Sequence, residues 1–136
     1  MEELKIKKDV LLQALATFEE ALKIMKNPKY EEIYETTRDS SIQRFEYSID
    51  AFWKFLKIYM QQQFGFVVKI DSARAILREA LNTQIITNEE FDQLIEAVAD
   101  RNMTSHSYKE EVANMLAFHL PNYYQIMHDI THRIIT

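Results

Sequence analysis

The chain has no cysteine, one glycine (Gly65) and two prolines (Pro28 and Pro121) in 136 residues. Without cysteine there is neither a disulfide framework nor a thiolate metal site. With so few turn-forming residues there is no punctuation for a many-stranded fold. No apolar run approaches the roughly 20 residues that would cross a bilayer. Nor does the amino-terminal segment join a basic start to a continuous apolar stretch, as a secretory signal would. These absences lead us to expect a cytoplasmic protein with no membrane partner. The net charge of −5 excludes a surface that binds nucleic acid throughout, because attraction to phosphate needs clustered lysines and arginines. Any RNA site must be local.

What the chain does contain is apolar residues, 47% of the total, enough for one domain over residues 1–136 with a substantial core. They recur at helical spacing. Leu11, Leu15, Phe18, Leu22 and Met25 form one stripe; Ile42, Phe45, Ile49, Phe52, Leu56 and Tyr59 form a second in alternating steps of three and four. Two long helices with faces suited to each other are expected, within an all-α antiparallel bundle of about five helices.

Local signals place the breaks. Asn27-Pro28 ends the first helix, since proline disfavours helical geometry in the residue before it. Residues 65–70 read as an extended connection, after which Asp71 is placed to cap a short helix carrying Ile76, Leu77, Ala80 and Leu81. Thr87 with Glu90 is a capping-box pattern for another helix, containing Phe91, Leu94, Ile95 and Val98. Ser107 with Glu110 repeats the pattern and starts the last helix, whose inward face reads as Val112, Leu116, Tyr123, Ile126 and Ile130. Pro121 is expected to kink or divide that helix.

The residues that suggest chemistry are gathered in Arg101-Asn102-Met103-Thr104-Ser105-His106-Ser107-Tyr108. Arginine holds a phosphate through a planar fork of donors, histidine moves a proton near neutral pH, and tyrosine offers a hydroxyl for bonding or modification. On an uninterrupted helix, the five steps from Arg101 to His106 turn about 500°, leaving the two roughly 140° apart. A break between them is therefore expected, so that both face one cleft near the amides of a helix start, which favour a phosphate oxygen. Arginine and histidine at a helix junction also act as simple caps, and Asn102 and Thr104 suit a turn, so the residues alone leave both readings open.

The segment resembles the motif of the HEPN superfamily (higher eukaryotes and prokaryotes nucleotide-binding), an arginine and a histidine separated by four to six residues. The asparagine after the arginine and the tyrosine two places after the histidine are similar to the branch called nucleotidyltransferase substrate-binding-like. The resemblance extends through Asp39-Ser40-Ser41-Ile42-Gln43-Arg44-Phe45-Glu46-Tyr47-Ser48, Trp53-Lys54-Phe55-Leu56-Lys57, Ala75-Ile76-Leu77-Arg78-Glu79-Ala80 and Glu96-Ala97-Val98-Ala99-Asp100-Arg101-Asn102. It runs from about Asp39 to Val112, with a looser helical match on either side.

The resemblance implies a HEPN-like dimer and a metal-independent endoribonuclease, the toxin of a toxin–antitoxin pair, needing neither cofactor nor metal. In that reading Arg101 stabilises charge developing on phosphate, His106 is the general acid or base, and Asn102 positions the phosphate. The implied partners are RNA, a second copy of the chain, and a minimal nucleotidyltransferase that neutralises the toxin by adenylylating Tyr108. Added AMP would obstruct RNA by bulk and charge; the plain alternative is that Tyr108 is an ordinary aromatic of a first helical turn. The branch's older name implies a different function, a non-catalytic subunit that presents a nucleotide or other substrate to a nucleotidyltransferase.

Other candidates read as structure. Arg44 and Glu46 are two apart and so lie on different helix faces, each suited to an ion pair with another helix. His128 and His132 share a face with Asp129 nearby, but neither they nor His119 completes a zinc ligand set. Phe45, Tyr47, Phe52, Trp53, Phe55 and Tyr59 read as core and dimer face rather than as a platform for bases.

Overall fold

The computed structural model describes residues 2–106 and 109–135, with the backbone alone described for residues 104–106. The described residues form five α helices: α1 (Glu2–Lys26), α2 (Tyr34–Phe64), α3 (Ala73–Asn82), α4 (Asn88–His106) and α5 (Glu110–Ile135). A 3-10 turn at Pro28–Ile33 joins the first two, and no strand occurs among the described residues. The architecture is the all-α antiparallel bundle that the sequence leads one to expect, with two shorter helices, α3 and α4, between longer ones.

Each junction has a local cause. Asn27 caps the 3-10 turn, its side chain accepting a hydrogen bond from the Lys29 amide at 3.0 Å, and Pro28 occupies a first-turn position where a missing N–H costs nothing. Helix α2 ends at Gly65, which adopts φ 67° and donates its amide to the Met60 carbonyl. That left-handed conformation is cheap for glycine alone.

Helix α3 is capped by Ser72 and not by Asp71. Ser72 is extended and immediately precedes the helix, so its hydroxyl reaches the Ala75 amide at 3.2 Å, while Asp71 pairs with Lys57 of α2 at 3.0 Å. The Thr87–Glu90 capping box is present in reciprocal form, at 3.1 Å and 2.9 Å.

The core is organised around α2, which packs against every other helix. Ile42, Phe45, Ile49, Phe52 and Leu56 are buried against Leu11, Leu15, Phe18 and Leu22 of α1; the stripe ends, Met25 and Tyr59, are half-buried. On α5 the buried row is Ala113, Leu116, Leu120, Tyr123, Met127 and Ile130. Ala113 and Met127 thus hold inward positions that apolar patterning assigns to Val112 and Ile126, both half-buried.

Pro121 does not divide α5, which runs unbroken from Glu110 to Ile135. Interior proline costs about 3 kcal/mol. Leu116, Leu120 and Tyr123 are buried on both sides of it, and at about 1.5–3 kcal/mol per buried side chain their packing outweighs that cost.

Phe45 is fully buried and sits between Tyr123 of α5, stacked with ring centroids 5.4 Å apart, and Phe18 of α1 at 6.2 Å. Phe45→Ala is expected to destabilise the fold by about 3–5 kcal/mol, read from the urea unfolding midpoint by circular dichroism. A loss under about 1 kcal/mol would mean that this ring does not join the three helices.

Candidate active site at the carboxy-terminal end of helix α4

Glu46 and Asp50 are one turn apart on α2 and therefore share a helix face. Arg101 of α4 reaches both. Its guanidinium lies 3.3 Å from Glu46 Oε2 and 3.2 Å from Asp50 Oδ2, with the three side chains between one quarter and two fifths exposed. The inter-helix ion pair expected of Glu46 is found, with Arg101 as its partner. Arg44, two residues away, is exposed.

The residue before Arg101 fixes the other side of the helix. Asp100 accepts a 2.6 Å hydrogen bond from the Tyr123 hydroxyl of α5. Consecutive helical residues point about 100° apart, so Asp100 secures α4 to α5 while Arg101 secures it to α2. Burial, and then the carboxylate beside it, pushes the Tyr123 hydroxyl pKa well above that of a free tyrosine. The phenol therefore stays protonated, and remains a donor, throughout the neutral range.

The downstream side of the motif is fixed by Arg38, a charged residue only 1% exposed. It donates to Asp39 at 3.0 Å, to Glu110 at 2.7 Å and to Asn114 at 2.9 Å. Glu110 and Asn114 belong to the first turns of α5, so this buried guanidinium pins the start of α5 to the start of α2. The hydrogen bond from Arg38 holds the Glu110 carboxyl below its ordinary pKa.

Arg101 and Asn102 line a cleft of about 390 Å³ between α2, the start of α3 and α4. Asp50, Trp53 and Arg74 also line it, over an apolar floor that includes Ile49 and Val98. Arg74 and Arg101 are set against Asp50 in the lining and Glu46 behind Arg101, so two guanidiniums and two carboxylates leave the recess close to neutral on a protein of charge −5.

The helix break expected between Arg101 and His106 is absent: α4 continues through His106. The two backbone positions are consequently about 140° apart around one helix axis. The His106 side chain, Ser107 with its capping pattern, and Tyr108 lie outside the described residues. Arg101 and Asn102 are thus brought to one cleft, whereas the roles expected of His106 and Tyr108 rest on the sequence.

Sequence reading passed over Arg38, Asp50 and Asp100. Their partners on other helices are 23 to 76 residues away, and the one signal available was the one-turn spacing of Glu46 and Asp50. His128 and His132 stack with ring centroids 4.1 Å apart, His119 is exposed, and no group of three or more metal-capable side chains occurs among the described residues.

The bundle shares its fold with several solved structures. One is a protein from Thermus thermophilus, with 32% identity, a TM-score of 0.79, and coverage of 90% of this chain and 97% of that one. A second is a tri-AMPylated HEPN toxin of Shewanella oneidensis in complex with MNT antitoxin (20% identity, TM-score 0.65, 92% and 98% covered). A third is the toxin–antitoxin pair MntA–HpeT (18%, 0.70, 93% and 97%). At their level of identity the last two establish the fold. No curated protein matches the chain. The family described as nucleotidyltransferase substrate binding protein like matches residues 7–135, and the chain belongs to it.

The Arg38–Glu110 contact has a defined pH dependence. Because the carboxyl pKa is lower in the folded protein than in the unfolded chain, its contribution is complete above the ordinary glutamate value of about 4.3 and is lost as pH falls through the folded value. Glu110→Gln is expected to lower the thermal midpoint at pH 7, and the gap from wild type should close as pH falls below about 4. A gap that is the same at both pH values would show that the charge of Glu110 contributes nothing.

Proposed function

We propose that this protein is the toxin of a toxin–antitoxin pair, a metal-independent endoribonuclease that works in the cytoplasm as one HEPN-like domain and is neutralised by a partner minimal nucleotidyltransferase. The observation that carries the reading is Arg101 with Asn102 together in one cleft beside α4. Membership of the family and the likeness of the fold to HEPN toxins support it.

The chemistry follows from the residue types. A ribose 2′-hydroxyl, deprotonated by His106, attacks the adjacent phosphorus; the bond to the 5′-oxygen breaks, and that oxygen takes up a proton as it leaves. The products are a 2′,3′-cyclic phosphate and a 5′-hydroxyl. Arg101, held at a fixed place by Glu46 and Asp50, stabilises charge on the equatorial phosphate oxygens, and Asn102 orients them. Acid–base catalysis by a histidine contributes about 10²–10⁴ in rate.

A second copy of the chain would supply the second histidine that such a transfer uses. Met103, Met115 and Phe118 support self-association: all three are exposed, Phe118 to 83%, and Met103 and Met115 line one recess between α4 and α5. An apolar surface of this kind marks an interaction site more often than a bare face.

Neutralisation would occur by transfer of AMP from ATP to the Tyr108 hydroxyl, with pyrophosphate leaving. The AMPylated state of the Shewanella oneidensis toxin supports this step. A second reading, a non-catalytic subunit presenting substrate to a nucleotidyltransferase, is favoured by one observation. Arg101 already faces two carboxylates, which offset its charge toward an incoming phosphate.

The test is incubation of purified, unmodified protein with RNA in EDTA, beside Arg101→Ala and His106→Ala, with circular dichroism confirming folding. Cleavage by wild type with a loss of at least about 10²-fold in each variant is expected. A folded, unmodified protein that cleaves none of a varied RNA set would favour the substrate-presenting subunit.

A further inference from the structure

Trp53 is the chain's one tryptophan, and it departs from its neighbours on α2. Phe45, Phe52 and Phe55 are buried in the core, whereas Trp53 is half-buried, packs against the core cluster and also lines the cleft that holds Arg101 and Asn102. The ammonium groups of Lys54 and Lys57 lie 5.8 Å and 5.7 Å from its ring centroid. Both lysines thus lie against the indole from outside the residues that line the cleft.

Across the cleft is Arg74, exposed in the first turn of α3, next to the Ser72 cap. The recess thus combines an aromatic ring, an apolar floor, two guanidiniums and the Asp50 carboxylate, which pairs with Arg101 and leaves Arg74 as the cation across from the ring. A ring and cations are the elements that hold a nucleotide: a base stacks on the ring, and its phosphates meet the cations. At about 390 Å³ the cleft is near the small end of ligand pockets, which span roughly 300–1,000 Å³, and this size suits one nucleotide rather than a folded stem.

We propose that this cleft is a nucleotide subsite, with Trp53 stacking one unpaired base and Arg74 holding the phosphate beside it, while Arg101 faces the next phosphate. The inference deepens the ribonuclease reading and rests on it for direction: the base on Trp53 belongs to the nucleotide flanking the cleaved bond. It also explains how a protein of charge −5 takes up RNA without a broad basic surface. Stacking is sequence-tolerant, because every base has a π face. Selection of single-stranded over paired RNA is its direct consequence.

Trp53 reports on the cleft by its own fluorescence. Unmodified wild-type protein is titrated with a short 2′-O-methyl oligonucleotide, which lacks the attacking hydroxyl and so cannot be cleaved, and separately with AMP. Quenching by the oligonucleotide supports the subsite. Quenching by AMP as well assigns recognition to the nucleotide unit itself, and quenching by the oligonucleotide alone assigns it to an RNA segment.

Binding of a fluorescein-labelled oligonucleotide, followed by anisotropy, is then compared among folded variants. Trp53→Leu is expected to weaken it at least about five-fold, the lower end of what base stacking contributes, and Trp53→Phe to retain most of it. Arg74→Ala is expected to weaken it and to flatten its salt dependence. Absence of quenching, or unchanged affinity in Trp53→Leu and Arg74→Ala, overturns the subsite even if cleavage persists. Quenching without cleavage would instead remove the ribonuclease reading and leave the subsite standing.

Discussion

The position of Arg101 depends on a three-helix constraint: two carboxylates of α2 hold its guanidinium while the neighbouring Asp100 is held by a phenol of α5. Neither contact alone would fix the end of α4. A part-exposed ion pair contributes about 0–1 kcal/mol, and long side chains lose entropy in forming it. Together the two contacts restrain the helix on faces about 100° apart, so that the rotation relaxing one strains the other. The hydrophobic core makes the arrangement possible, because Phe45 and Tyr123 stack beneath it and bring α2 and α5 to the correct separation.

This arrangement gives the carboxylates two opposed effects. In the proposed reaction they would lower the positive potential that Arg101 presents to a phosphate, and reduce the freedom it must lose on binding one. For a reaction in which charge develops on phosphate, fixed geometry is worth more than loose charge, since a preorganised donor needs no reorganisation as the transition state forms. Arg38 serves the same end from below. Its buried guanidinium ties the start of α5 to α2, so both described ends of the motif are anchored to one helix.

Much of the fold was legible in the sequence for a simple reason: helical periodicity is local. The stripes of α1 and α2, the Asn27-Pro28 break and the Thr87–Glu90 box all depend on residues within a few positions of one another. Where tertiary packing competes with local preference, reading failed. Pro121 looks like a helix breaker until the buried side chains on both sides of it are counted, and Asp71 looks like a cap until Lys57 claims it. In the candidate site, the motif marks Arg101 and Asn102, which the fold places in one cleft. The ion pairs that hold them, and the burial of Arg38, were not legible, because a charged residue in a sequence reads as surface and its partner lies 51 to 76 residues away.

The most direct test of positioning by α2 is steady-state RNA cleavage by the Glu46→Gln, Asp50→Asn double variant, with kcat and KM separated and the thermal midpoint measured alongside. If the carboxylates hold Arg101 in place, kcat falls at least about ten-fold while KM changes little and the midpoint stays near wild type, as the modest worth of part-exposed ion pairs requires. Cleavage that is unchanged or faster would contradict this, and would mean that the carboxylates merely blunt the charge of Arg101.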